Sequence, residues 1–250
     1  MNLEMTIISR DTGGTIEDNH TLMQYLINNP LTKAIVDTAK KGTPLLKLGK
    51  GTPRAMLISG IHGNELPPQI SSIRLINEIN LIKSRGTIYF IPFAIPKATM
   101  QNYRRFDGFD MNRSAFKSGT ISNDILELLE SLKIDALADF HSTQKNSNPG
   151  VQSIFCSKEP CYESFKMAKY MAQITSSKII CQEKAGTLFT GALEDEANLK
   201  GIPAVTCEVV SKNGWVDKGS PEHSYHQMRT FLDYVGVELV GLQSVFPPDP

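Results

Sequence analysis

Short apolar runs, too brief for helices, alternate with longer segments of helical period, and this alternation restricts the possible folds most. Ala55–Ser59, Thr87–Phe93, Ile134–Phe140 and Pro203–Val210 read as strands, the last of the kind buried on both faces. Thr6–Ser9, Pro44–Leu48, Val151–Cys156 and Lys178–Cys181 add shorter ones. Between them, Leu66, Ile70, Ile73, Ile76 and Ile79 fall at helical spacing, with Pro67 and Pro68 where a first helical turn tolerates proline. Further helices are expected over Asn123–Leu132, Glu163–Ile174, Gly191–Lys200 and Pro221–Tyr234, and over Thr21–Lys41 with a break at Pro30. The loop class is expected over Asn102–Phe116. Strands alternating with helices imply an α/β fold: a mixed, mostly parallel sheet with helices on both faces. No composition shift marks a boundary, so residues 1–250 read as one domain, with a frayed tail over 237–250.

Lys plus Arg and Asp plus Glu number 26 each, so formal net charge is zero and no basic excess suggests nucleic acid or an anionic membrane as partner. Hydrophobic residues at 40% and charged residues at 21% fit a folded globular chain. No basic segment followed by an apolar run opens the sequence, and no stretch has the ~18 apolar residues of a membrane span. A cytoplasmic protein is therefore expected. Cys156, Cys161, Cys181 and Cys207 form no C-x-x-C pair and are expected as reduced thiols.

Ligands of α/β folds bind where strands give way to loops, and the polar residues of interest lie there. His62 and Glu65 follow a strand at a glycine-bearing turn, so an imidazole and a carboxylate can converge. His141 ends the apolar run Ile134–Phe140 and supplies a third candidate ligand. Two His and one Glu leave a fourth position open for water, the catalytic type of zinc site. Asp139, two residues earlier, is placed to orient His141. Glu208 lies inside an apolar strand, where an unpaired carboxylate is costly as filler, and it is a candidate general base. The loop from Arg104 to Arg113 offers three arginines for oxyanion or carboxylate binding.

The strings GIHGNE (60–65), RFDGFDMNR (105–113), DFHST (139–143) and GIPAVTCEVV (201–210), in this order, resemble the zinc carboxypeptidase superfamily. They are most similar to its aspartoacylase and succinylglutamate desuccinylase branch, over about residues 43–210. The resemblance implies one Zn²⁺ per chain on His62, Glu65 and His141, with Glu208 as general base. It also implies that Arg105, eight positions before Arg113, polarises the scissile carbonyl, and that Asn112 and Arg113 grip a substrate carboxylate. The segment 186–201 corresponds to the loop and helix that border the pocket in carboxypeptidases. Relatives usually carry a further β-rich domain, whereas here 40 residues follow Val210 (250 − 210), much of that stretch one helix. Val210 also stands where that branch often has glycine. No tyrosine is assigned to the site; Tyr162 and Tyr225 are the candidates considered.

The expected activity is zinc-dependent hydrolysis of an amide bond next to a carboxylate, deacylating an N-acyl amino acid. A carboxypeptidase trimming short peptides is the alternative, and an inactive zinc scaffold a third. The partner is a small carboxylate-bearing substrate or a short peptide. His223 and His226, on the last helix, are read as polar surface or capping residues, and the run Glu194-Asp195-Glu196 as a solvated helix start.

Overall fold

A computed structural model describes residues 3–241. Its strands are β1 (Glu4–Ile7), β2 (Pro44–Lys50), β3 (Arg54–Ser59), β4 (Lys83–Ile91), β5 (Ala136–Thr143), β6 (Ser153–Glu159), β7 (Lys178–Lys184), β8 (Ala204–Val210) and β9 (Glu238–Val240). The helices are α1 (His20–Met23), α2 (Pro30–Ala39), α3 (Leu66–Asn80), α4 (Pro96–Met100), α5 (Ile121–Ser131), α6 (Tyr162–Thr175), α7 (Leu193–Leu199) and α8 (Ser220–Val235). The strands form one mixed sheet in the order β1-β2-β4-β3-β5-β8-β6-β7, with β9 beside β4. Its centre, β4-β3-β5-β8, is parallel, as is β6-β7; β6 runs antiparallel to β8. The chain is a single α/β domain.

Alternation along each strand sorts its side chains onto two covered faces. Ala55, Leu57, Ile88, Phe90, Ala138, Phe140, Val205 and Cys207 join one core, which also takes in residues of α2, α3, α6 and α8. Met56, Ile58, Tyr89, Ile91 and Leu137 join the other, with residues of α5 and α7. Leu137 faces this second core, so Asp139 and His141 lie on the same face two and four residues later. Ala204 does likewise and brings Thr206 and Glu208 with it. This face over the C-terminal halves of β5 and β8 carries the candidate site.

Three local features differ from expectation. Pro30 opens α2, at a position where its missing N–H is no loss, and Asn29 caps that helix through Thr32 N at 2.9 Å. The short α4 falls in a stretch with no periodicity long enough to read. Part of the expected tail forms β9, antiparallel to β4; residues 242–250 of that tail, including Pro247–Pro250, lie outside the described residues. The four cysteines are free thiols, three of them buried. Among the described residues no helix is long and apolar enough to cross a membrane.

Candidate active site

His62 and Glu65 sit in the turn between β3 and α3. Gly60 holds φ +80° there, a conformation natural to glycine. Gly63 packs so tightly that a Cβ would lie 2.1 Å from the carbonyl carbon of Ala98. Pro67 and Pro68 start α3 directly after Glu65. The turn therefore directs both side chains toward the end of β5, where His141 projects. His62, Glu65 and His141 are each 2% exposed.

The three side chains converge. His62 Nδ1 lies 2.9 Å from Glu65 Oε1, His141 Nδ1 lies 2.8 Å from Glu65 Oε2, and the two Nδ1 atoms are 3.1 Å apart. Among the described residues this is the one group of its kind able to hold a metal ion. On the far side of each ring, Nε2 meets a carboxylate at 2.8 Å: Asp110 for His62 and Asp139 for His141. Carboxylates accept, and with the Nε2 proton given to Asp110 or Asp139 a neutral ring keeps a lone pair at Nδ1. In neutral rings both Nδ1 lone pairs then face one another across 3.1 Å, beside a carboxylate. Such a set calls for a shared cation. Zinc bonds of ~2.0–2.1 Å place tetrahedral ligand atoms ~3.3 Å apart, a few tenths more than the spacing found here, so these residues fit zinc.

The same convergence shifts the ionisation of these groups. Burial opposes charge on Glu65, but the imidazoles of His62 and His141 outweigh it and hold its carboxyl well below the usual range. Burial also opposes charge on His141, but Asp139 and Glu65 overcome it and push its pKa well upward. Burial opposes charge on Asp110 too, but His62, Arg104 and the Asn112 N–H together outweigh it and hold its carboxyl low.

Strand register places the remaining groups. Glu208 on β8 pairs with His141 on β5 and with Ser153 on β6. It is thus on an interior strand, not an edge. Its Oε2 is enclosed and lacks a hydrogen-bond partner among the described residues. Burial first, then the charge of Glu65, pushes its carboxyl up to about 8. Glu208 lines a cavity of about 260 Å³ with His62, Arg104, Asn112, Arg113 and Glu194.

Of the residues expected at the site, Arg105 is not brought in. It is exposed, and its nearest polar contact is a poor 3.5 Å approach to Gly108 O. Arg104, itself half-exposed, reaches the site instead, with Nη1 2.8 Å from Glu65 Oε1 and Nη2 3.5 Å from Asp110 Oδ2. Adjacent residues of an irregular loop point in different directions, and the spacing to Arg113 does not reveal which of the two faces the cavity. Two acidic residues were also missed as site groups. Asp110 caps the 3-10 turn Met111–Arg113 and binds His62 with the same Oδ1. The run Glu194-Asp195-Glu196 is not solvated, since Glu194 and Asp195 are buried. Tyr162 is exposed and Tyr225 hydrogen-bonds to Glu78 of α3; neither lines the cavity. His223 is exposed and His226 partly buried on α8.

The family model for the succinylglutamate desuccinylase/aspartoacylase catalytic domain matches residues 51–219. The chain belongs to this family. Proteins of known structure share the fold. An aspartoacylase family protein from Mesorhizobium loti is 20% identical (TM-score 0.61) and is matched over 81% of this chain and 63% of its own. A metallo-carboxypeptidase from Burkholderia cenocepacia is 13% identical (TM-score 0.61), over 93% of this chain and 64% of its own. The tripeptide-bound cell shape determinant Csd4 of Helicobacter pylori is 13% identical (TM-score 0.60), over 78% and 56%. The chain thus spans less than two thirds of the length of these relatives. No curated protein matches the sequence.

Proposed function

We propose that this desuccinylase/aspartoacylase-family domain is a zinc-dependent hydrolase that cleaves an amide bond next to a carboxylate, releasing an amino acid from its N-acyl derivative. The observation that carries the reading is Glu208. An enclosed carboxyl oxygen without a partner, one strand from His141 and open to the same cavity as the ligand cluster, is expensive to keep and suits a proton carrier.

His62, Glu65 and His141 would hold Zn²⁺, with Asp110 and Asp139 fixing the ring orientations. Bound there, Zn²⁺ supplies Lewis acidity and lowers the pKa of a coordinated water toward ~7. Glu208 takes the proton from the attacking water and returns it to the leaving amine. Arg104 would stabilise the negative charge that develops on the carbonyl oxygen, the role that the resemblance gives to Arg105. Donors of this kind are worth ~3 kcal/mol in the transition state. Arg113 offers a planar fork suited to a carboxylate, with Asn112 beside it.

The test is amine release by the zinc-loaded protein from N-acetyl and N-succinyl amino acids, beside peptides with free C-termini. Glu208→Gln serves as blank and is expected to bind a full equivalent of zinc without turnover. Release from acyl amino acids is expected. Release of C-terminal residues instead would make the domain a carboxypeptidase. Turnover by Glu208→Gln would overturn the base assignment, and silence from the wild type on every substrate would overturn the hydrolase reading.

A further inference from the structure

Glu194, at the start of α7, lines the cavity, and the reaction described above does not use it. Its two acidic neighbours are employed structurally. Asp195 accepts from Gln182 Nε2 and from Gly186 N at 2.9 Å, and Glu196 accepts from Gly191 N at 2.9 Å. Glu194 accepts from Asn198 Nδ2 at 3.1 Å, within its own helix. Its side chain is 1% exposed and lines the same cavity as Arg113 and Glu208.

Among the described residues no cationic side chain comes within ion-pair distance of Glu194. Asp195 and Asp139 both repel its charge, and Arg113 attracts it only weakly, after the Asn198 hydrogen bond. Arg113 itself donates to Asn112 O and stands 5.9 Å from the Phe189 ring centre. A buried carboxyl of this kind ionises at neutral pH only when a cation comes beside it, and a carboxamide of the same size would fill the position without a group that can ionise. The missing cation can come from the ligand. The walls nearby are apolar: Phe155 of β6, Ile180 of β7, and Phe189 of the loop before α7. An aliphatic stem ending in an ammonium group matches this surface, whereas an acidic side chain would set a second carboxylate against Glu194.

We infer that Glu194 selects an amino acid whose side chain ends in a cationic amine, so that the substrate is the acyl or peptidyl amide of a basic amino acid. This rests on the hydrolase reading for the placement of the substrate carboxylate at Arg113. The amine reaches Glu194 along Phe155, Ile180 and Phe189, and the scissile amide stays beside Glu208.

Calorimetric binding of free amino acids to the zinc-loaded Glu208→Gln protein tests this without turnover. L-lysine is compared with L-norleucine, which has the same stem without the amine, and with L-glutamate. Lysine is expected to bind at least about tenfold more tightly than either, since a charge-assisted contact in a desolvated site is worth ~1.5–3 kcal/mol. Adding Glu194→Gln should bring lysine within about threefold of norleucine, while Glu194→Asp should retain part of the preference. Norleucine or glutamate binding as tightly as lysine, no binding of lysine, or a preference that survives Glu194→Gln would each overturn the inference. The wild-type ratio decides even if a Glu194 variant fails to fold. Lysine selectivity without amide hydrolysis would sink the hydrolase reading alone. Hydrolysis of acyl amino acids with no lysine preference would sink this inference alone.

Discussion

Replacing Glu194 by glutamine should make the folded protein less sensitive to alkaline pH. Burial, reinforced by Asp195, raises the Glu194 carboxyl from 4.5 to about 8. Below pH ~4.5 the group is protonated in folded and unfolded chains alike and contributes no pH dependence. Between ~4.5 and ~8 the folded chain keeps a proton that the unfolded chain has lost. Stability therefore falls as pH rises, by ~1.4 kcal/mol per unit, and levels off above the folded value. The full shift would cost about 5 kcal/mol, a ceiling that water entering the cavity and local relaxation lower; about half is expected. Glutamine keeps the size and can still accept from Asn198. Urea unfolding of both proteins, with chelator present, at pH 5 and pH 8.5 measures the difference. The variant should gain ~2–3 kcal/mol relative to wild type on going from the lower to the higher pH. Glu208, whose carboxyl is raised in the same sense, is present in both proteins and drops out of the comparison. An unchanged difference between the two proteins at both pH values would refute the burial of an ionisable, unpaired carboxyl here.

Arg104→Ala should lower kcat by ~10²–10³, while Arg105→Ala should stay within a few-fold of wild type; steady-state kinetics of the two variants decides between neighbouring residues. Zinc should raise the melting temperature of the wild type, through preferential binding to the folded state, and should not do so in His62→Ala. That rise should shrink as pH falls, because the proton held on His141 between Asp139 and Glu65 must leave before Nδ1 can bind metal. Asp139→Asn should weaken zinc affinity ~10–100-fold in a chelator competition, since Asp139 Oδ2 orients His141 from 2.8 Å.

Much of the architecture was readable because strands and helices have different periods. The apolar runs around Met56, Phe90, Leu137 and Val205 became the central strands, and the spacing from Leu66 to Ile79 became α3. The ligand cluster was readable for a related reason. His62, Glu65 and His141 lie at strand ends, where a parallel sheet collects its functional groups, and Glu208 is conspicuous in an apolar strand. The irregular stretches did not yield in this way. Nothing in the order Arg104-Arg105 says which guanidinium enters the cavity, because no period governs a loop with positive φ at Asn102 and Asp107. The acidic run at 194–196 looked like a solvated helix start, since short-range sequence carries no information about what packs over α7.

Local chemistry along the chain thus determined which segments are strands, which are helices, and which residue types could bind a metal, because these depend on neighbours a few positions away. Tertiary structure alone decided that β8 lies between β5 and β6, which places Glu208 against His141, with one carboxyl oxygen enclosed. It alone buried Glu194 in the same cavity and turned Arg104 toward Glu65. Burial and charge pairing arise between residues dozens of positions apart, so they exist only once the sheet order has brought those residues together.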